Sequence, residues 1–432
     1  MSRLPRRAVL PPEKPVVLLH IGAPKTGTTF LQQLMVAHKD ALAEAGYLFP
    51  GDTWVAQVRA AQDLLGDTQD PRIEQAAHGA WSAVADAMLA WEGRASILSM
   101  EWLCMAGPRQ AARAMSSLEG ATVHVVLTVR DAASTLPAQW QTMAHNQGRE
   151  SWPEFVESAM SDSLARRRWV GRWRHRRTRS DFGAYQDVPR MLRTWGRLVP
   201  VDRLHVVTVP QASSDPMLLW RRFAQVVGID PRVCTEPTSR TNASLGQASA
   251  ELVRRLNVTL GEVAHSDYVP TVKEYLALTV LAARSESEQR ARLDVAALEF
   301  AVDWNRGVRE AVQASGAHVV GDLEDLPVRV PESAATTAAP RLTDPPDDEV
   351  LAAAATAVDG MRALLRRRAR RLHRAGEPAP RELERYLRED SPTRADSWDR
   401  DPDPVQAAVD ELATMTRLAI DLRTQVRRAG GR

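Results

Sequence analysis

A short loop near the start of the chain, residues 22–29 (GAPKTGTT), has the residue types and spacing of a phosphate-binding loop. An apolar run at residues 16–19 precedes it and predicts a buried strand, and a helical pattern begins at Phe30. In a strand, loop and helix of this order, loop amides and the helix N-terminus point at one anion. Gly22 and Gly27 have the spacing that opens a P-loop. The sequence therefore predicts an anion site between the first strand and the first helix.

The position of the loop lysine separates two chemistries. A nucleotide triphosphatase has Lys directly after the second glycine, where it reaches the β- and γ-phosphates, and the next Ser or Thr holds Mg²⁺. Here Thr28 follows Gly27, and the lysine is Lys25, inside the loop. An ammonium at Lys25 is expected to lie nearer to a 5′-terminal group on a shorter phosphate chain.

The stretch H-I-G-A-P-K-T-G-T-T resembles the 5′-phosphosulfate loop of sulfotransferases that use 3′-phosphoadenosine 5′-phosphosulfate (PAPS), in their bacterial, carbohydrate-type branch. The resemblance covers roughly residues 15–260. It implies transfer of a sulfuryl group to a hydroxyl of a carbohydrate or another small molecule, with Lys25 neutralising the oxygen between phosphorus and sulfur. The residues implied to bind the 5′-phosphate of the co-substrate are Pro24, Lys25, Thr26, Gly27, Thr28 and Thr29.

A second apolar run, residues 123–129, predicts a strand that ends at Arg130. At the carboxyl end of a central parallel strand, a guanidinium lies on the ligand side of the sheet and can grip a phosphate. The segment resembles the family's 3′-phosphate segment, whose later serine position is Ala138 here. Ser134 is therefore either a substitute phosphate ligand or an early helix residue that satisfies its own backbone. Arg130 itself either binds the 3′-phosphate or pairs with a carboxylate such as Asp131.

Two residues are candidates for the general base that an acceptor hydroxyl needs when it attacks sulfur. Glu101 follows a predicted strand in a stretch that resembles the S-x-E element of carbohydrate sulfotransferases. Its alternative role is that of an acidic residue near the positive end of a helix dipole. His20 resembles the histidine of the family's H-I-G start, and its alternative role is that of a hydrogen-bonded structural residue.

Two later segments are further candidates for ligand contacts. Arg240, in S-R-T-N-A-S-L-G, resembles a late segment of the bacterial branch and could close over the 3′-phosphate. Residues 166–179 form the densest basic run, in which Trp169 and Trp173 are interleaved with arginines. That run is either an amphipathic helix with solvated arginines or a surface for an anionic or sugar acceptor.

The fold class follows from four strand-like runs, residues 16–21, 96–99, 123–129 and 204–209, that alternate with long helical stretches. This alternation predicts an α/β protein: a three-layer, P-loop-like domain at residues 15–330, with a central parallel sheet flanked by helices. Residues 1–14 are predicted to be a flexible N-terminus.

The composition changes after this domain. Residues 331–348, rich in Ala, Thr, Pro and Asp, are predicted to be a linker, and residues 349–432 a helical C-terminal extension. A chain that ends near Glu332 is therefore expected to remain folded and active.

Composition limits the remaining function classes. A chain of 432 residues that is 44% hydrophobic can bury a large core, and a net charge of +2 gives no reason to expect nucleic acid. Two cysteines without paired spacing suggest a reduced compartment and no zinc site. Since we find no signal-peptide core and no apolar run long enough to cross a bilayer, we expect a cytoplasmic protein without a membrane span and without a metal.

Two other functions remain open from the residues alone. One is a P-loop kinase of small molecules, which would need Mg²⁺ and a Lys where Thr28 stands. The other is a non-catalytic nucleotide-binding or scaffold protein that uses the basic run or the C-terminal helices.

Overall fold

The computed structural model describes residues 14–66, 71–168, 181–211, 215–235, 245–330, 342–378, 380–387, 398 and 400–430. The chain divides into two compact units, each assembled from three segments. Unit 1 comprises Met1–Thr135, Asp162–Asn242 and Ala297–Ala335. Unit 2 comprises Leu136–Ser161, Ala243–Ala296 and Thr336–Arg432.

Unit 1 is built on a parallel sheet, which confirms the predicted α/β class. The strands are β1 (Val16–His20), β2 (Tyr47–Leu48), β3 (Ala95–Ser99), β4 (Thr122–Val129), β5 (Leu204–Thr208) and β6 (His318–Val320). In the described residues they form one six-stranded sheet in the order β2-β3-β1-β4-β5-β6, with every neighbouring pair parallel. The four longer strands match the four predicted runs. The edge strands β2 and β6 have only two and three residues, so neither produces a recognisable apolar run.

Alternate residues of these strands enter two hydrophobic cores, one on each face of the sheet. Val17 and Leu19 of β1 belong to one core, whereas Leu18 belongs to the other. In β4, Val125 and Val126 divide in the same way. Because both faces are covered, the central strands are apolar along nearly their whole length, which is why they could be recognised in the sequence.

The helices connect the strands and build unit 2. In chain order they are α1 (Thr28–Ala37), α2 (Lys39–Glu44), α3 (Trp54–Leu65), α4 (Pro71–Ala77), α5 (Ala80–Leu89), α6 (Pro108–Ser117), α7 (Ala132–Ala144), α8 (Trp152–Arg168), α9 (Asp181–Tyr185), α10 (Val188–Trp195), α11 (Leu218–Val227), α12 (Gln247–Leu260), α13 (His265–Tyr268), α14 (Val295–Ser315), α15 (Asp347–Arg374), α16 (Glu384–Leu387) and α17 (Pro404–Gly430). A π-helical segment, Val269–Val280, follows α13. Among the described helices, none combines the length and the apolar character needed to span a bilayer.

Unit 2 is helical, and its C-terminal helices are part of its core. Helix α15 packs along α17, and both pack against α12. All three helices contribute fully buried side chains, among them Leu256 of α12, Leu365 of α15 and Leu412 of α17. Arg417 of α17 also donates a 2.8 Å hydrogen bond to the carbonyl of Thr259 at the end of α12.

This packing bears on the predicted domain boundaries. An independent extension at residues 349–432 is not confirmed, because α15 and α17 complete a core that residues 243–296 share. The expectation that a chain ending near Glu332 remains folded and active stays a prediction, and this packing gives a physical reason to expect the opposite result. Residues 1–13 of the predicted flexible N-terminus (residues 1–14) and residues 331–341 of the predicted linker lie outside the described residues.

Candidate functional site

Three segments that are distant in sequence meet at the carboxyl edge of the sheet in unit 1. The loop at Gly22 follows β1, Glu101 follows β3 and Arg130 follows β4. The strand register makes this meeting unavoidable, because His20 lies beside Ser99 on one side and Val126 on the other. In a parallel sheet this edge is where ligands bind.

The backbone of the loop requires its two glycines. Gly22 and Gly27 have φ angles of 93° and 81°, in the left-handed region that favours glycine. A Cβ on Gly22 would lie 2.9 Å from the Cβ of Glu101, and a Cβ on Gly27 would lie 2.3 Å from Cδ2 of Leu219. Gly22 therefore lets the loop backbone approach Glu101, and Gly27 lets helix α1 begin against α11.

Helix α1 begins at Thr28 without a side-chain cap. Its N-cap residue is Gly27, and its first turn contains no acidic residue. The first amides of a helix have no partner within the helix and carry positive partial charge. Thr28 is buried and Thr29 is exposed, so the first turn lies at the border between core and surface. These features suit an anion at the start of α1.

Two side chains hold the carbonyl groups of the loop. Nη1 of Arg130 donates a 3.2 Å hydrogen bond to the carbonyl of Lys25, and Nε2 of Gln186 donates a 2.8 Å bond to the carbonyl of Pro24. Lys25 is half-buried and has a φ of 65°, a rare conformation for a residue with a side chain. Arg130 therefore lies against the loop and fixes its backbone at the residue that carries the ammonium.

Glu101 is held in place by a residue of helix α1. Nε2 of Gln32 lies 2.6 Å from Oε2 of Glu101 and 3.1 Å from the carbonyl of Ser99. Gln32 is buried, whereas Glu101 is half-buried at the start of a 3₁₀ turn. An amide N–H can only donate, so Oε2 of Glu101 is the acceptor in this contact.

His20, the other candidate base, is fully buried. Its ring nitrogens lie 2.7 Å from the hydroxyl of Ser99 and 3.2 Å from that of Thr128. Its ring also makes an edge contact with Phe223 at 5.1 Å between centroids. Burial lowers the pKa of His20 to about 3. This geometry favours the structural alternative for His20, since a base in direct contact with the acceptor needs exposure.

Ser134 lies in the first turn of α7, where a carboxylate already occupies the helix N-terminus. Asp131 accepts hydrogen bonds from the amides of Ala133 and Ser134 at 3.1 and 3.2 Å, and the Ser134 hydroxyl donates to it at 3.0 Å. Asn305 donates a 2.8 Å bond to the same carboxylate. The contacts of Ser134 are those of an early helix residue, and its predicted role as a phosphate ligand stays a prediction.

Arg240, Trp169 and Trp173 lie outside the described residues, so the late segment and the centre of the basic run contribute no geometry to the site. Within the described ranges, the structure groups no three His, Cys, Asp or Glu side chains in a way that could hold a metal ion. A metal-free site stays a prediction.

The sequence predictions missed Gln32, Gln186 and Thr128, and they gave Ser99 no role beyond its place in the S-x-E element. Two of them left a signal: Gln32 is a polar residue among the apolar positions of α1, and Thr128 interrupts an apolar strand. Gln186 left none, because the loop carbonyl that it holds lies more than a hundred residues earlier.

Comparison with known proteins identifies no relative of this chain. No family model, no curated protein and no solved structure matches the chain.

Proposed function

We propose that this chain is a sulfotransferase that moves a sulfuryl group from PAPS to a hydroxyl of a carbohydrate or another small-molecule acceptor. One observation carries the proposal: the three segments that resemble the family's donor loop, 3′-phosphate segment and base element meet at one edge of the sheet. Arg130 contacts the carbonyl of Lys25, and Gly22 packs against Glu101. The proposal includes the P-loop-like character of unit 1.

The chain's own residues divide the binding work between a loop and a strand end. In this proposal, the amides of residues 26–29 and the uncapped start of α1 hold the 5′-phosphate. Arg130 binds the 3′-phosphate and at the same time holds the loop through Lys25. The two functions of Arg130 are compatible because a guanidinium has five N–H donors.

The chemical step requires charge neutralisation and a base. When bound, PAPS supplies the sulfuryl group: an O–S bond to the acceptor forms while the bond from sulfur to the 5′-phosphate oxygen breaks. Lys25 neutralises the charge that remains on that oxygen, and Glu101 accepts the proton of the acceptor hydroxyl. Gln32 keeps the Glu101 carboxylate in place during the transfer. Catalysis in this form consists mainly of positioning and electrostatic stabilisation.

A pair of ligand-binding measurements separates this function from a kinase. A sulfotransferase should be stabilised by adenosine 3′,5′-bisphosphate without Mg²⁺, whereas a kinase should respond to ATP with Mg²⁺. Transfer from sulfur-labelled PAPS to a panel of carbohydrate, lipid and phenolic hydroxyls then tests the reaction itself. A thermal shift with ATP and Mg²⁺ alone, or no transfer to any acceptor class, would contradict the proposal.

A further inference from the structure

A row of four fully buried side chains lies beneath the loop. Ser99 ends β3, His20 ends β1, Thr128 lies near the end of β4 and Thr26 belongs to the loop; each is 0% exposed. Neighbouring polar atoms are separated by 2.7 Å from Ser99 to His20, 3.2 Å from His20 to Thr128 and 2.5 Å from Thr128 to Thr26. The hydroxyl of Thr26 ends the row at the carbonyl of Ala23, 2.5 Å away.

The direction of every bond in this row follows from its last member. The carbonyl of Ala23 can only accept, so the single hydrogen of the Thr26 hydroxyl is donated to it. The hydrogen between the two threonines must then belong to Thr128. Thr128, having donated its own hydrogen, accepts from Nε2 of His20, so Nε2 carries a proton.

The remaining nitrogen of His20 fixes the first bond. Because burial lowers the pKa of His20 to about 3, the ring is neutral near pH 7 and carries one N–H. Nδ1 is therefore an acceptor, and the hydroxyl of Ser99 donates to it. The row runs in one direction only, from Ser99 to Ala23.

We propose that His20 is a positioning residue that fixes the loop between Gly22 and Thr28. As the Nε2–H tautomer it accepts a hydrogen bond from Ser99 and donates one to Thr128, so a continuous chain of hydrogen bonds runs from Ser99 to the loop. The carbonyl of Ser99 accepts from Gln32, which also holds Glu101, so the same network links the base to the loop. The backbone of Thr128 also holds the loop, since its amide donates to the carbonyl of Gly22 and its carbonyl accepts from the amide of Ala23. The consequence for catalysis, a link between the base and the donor loop, rests on the proposed function. The tautomer of His20 and the hydrogen bonds that hold the loop do not.

The tautomer can be read directly by NMR. Long-range ¹H–¹⁵N correlation spectra of the full chain, labelled with ¹⁵N-histidine, distinguish the two neutral tautomers and the imidazolium. His20 is assigned as the signal that disappears in His20→Asn. We expect the Nε2–H tautomer throughout pH 6 to 8; an Nδ1–H tautomer or an imidazolium in that range would overturn the proposal.

The restraint that these hydrogen bonds place on the loop can be measured by amide hydrogen exchange, without any nucleotide. Thr128→Val keeps the shape of the side chain and removes the hydroxyl, so the amides of residues 25–29 should exchange at least about tenfold faster. Thr128→Ser should restore the wild-type exchange rate, and Thr122→Val, at the other end of β4, should leave it unchanged. Wild-type exchange at the loop in a folded Thr128→Val variant would overturn the proposal. If that variant does not fold, the tautomer measurement on the wild-type chain decides. A failure to bind any nucleotide would remove the proposed function and leave both measurements valid.

Discussion

Nε2 of Gln32 donates a 2.6 Å hydrogen bond to Oε2 of Glu101. The bond joins the first helix to the residue that follows β3, across 69 positions of the sequence. It couples two features that the sequence presents separately, the helix that begins at the phosphate loop and the candidate base. The orientation of Glu101 therefore depends on the same helix whose N-terminus is proposed to hold the donor.

This relationship predicts the effects of two substitutions on acceptor turnover. Glu101→Gln removes the basicity of the side chain and should abolish sulfation while leaving bisphosphate affinity unchanged. Gln32→Ala leaves the carboxylate without its donor and should lower the rate by roughly tenfold, the effect of about 1.4 kcal/mol of lost positioning. Labelled-PAPS assays and calorimetry measure both quantities, with Glu119→Gln and Gln33→Ala as matched controls. Normal turnover by Glu101→Gln would exclude Glu101 as the base.

Substitution of the loop lysine should affect the rate far more than binding. Lys25→Ala is expected to lower turnover by about 10²-fold or more, by analogy with the loss of one oxyanion donor. The loss of bisphosphate affinity should be modest, because the charge that Lys25 neutralises develops during the reaction. Lys14→Ala, an exposed lysine just before β1, is the matched control. A Lys25→Ala enzyme with a near wild-type rate would remove the central claim about the loop.

Selectivity for the 3′-phosphate tests Arg130. Wild-type protein should bind adenosine 3′,5′-bisphosphate at least about tenfold more tightly than AMP, because a charge-assisted hydrogen bond contributes about 1.5–3 kcal/mol. Arg130→Ala should erase this preference. Since Arg130 also holds the carbonyl of Lys25, AMP binding should weaken slightly in the variant.

Calorimetry with both nucleotides on wild type, Arg130→Ala and Arg232→Ala separates the two roles. Arg232, whose side chain is 88% exposed, is the matched arginine control. An equal loss of affinity for both nucleotides in Arg130→Ala would mean that Arg130 acts only through the loop.

The buried histidines predict that the fold loses stability in mild acid. Burial lowers the pKa of His20 to about 3, and burial, followed by the neighbouring His124 and His318, lowers the pKa of His205 to about 4. The unfolded chain binds these protons near pH 6.5, so the free energy of unfolding should fall as pH drops from about 6.5 towards the folded pKa values. Each neutral histidine contributes a slope of up to about 1.4 kcal/mol per pH unit.

Urea unfolding at pH 6.5, 6.0 and 5.5 measures this slope. His20→Gln lacks the titrating ring and should show a shallower slope than wild type, whereas His78→Gln, at an exposed position, should not. Identical slopes for wild type and His20→Gln would show that His20 does not stay neutral in the folded chain.

Truncation tests the role of the C-terminal helices. A chain that ends near Glu332 lacks α15 and α17, so the part of α12 that these two helices cover would face water. Exposure of a buried leucine costs about 1.5–3 kcal/mol. The summed cost for several such residues exceeds the free energy of unfolding of an ordinary domain. We expect the truncated chain to be insoluble or to lose cooperative unfolding of unit 2, as monitored by circular dichroism and calorimetry. A soluble, cooperatively folded fragment would restore the predicted boundary at residue 330.

The predictable part of the fold and site is the part that local sequence determines. The loop was recognisable because Gly22 and Gly27 lie between an apolar strand and a helical pattern, and Arg130 because it ends another apolar strand. Gln186 and Gln32 act on groups that only the sheet brings near, so the sequence does not reveal their partners, although Gln32 is recognisable as a polar residue among apolar positions. The grouping of α12 with α17 was missed for the same reason, since the intervening Pro-rich stretch has the composition of a linker.

The interleaving of the two units in the chain has a consequence for synthesis on the ribosome. Every segment of unit 1 has been made once residue 335 has left the exit tunnel, so its sheet can close while translation continues. Unit 2 must wait for α17, although its first segment, Leu136–Ser161, emerges much earlier. During that interval α12 lacks its contacts with α15 and α17, so the packing of unit 2 stays incomplete until both helices have been made.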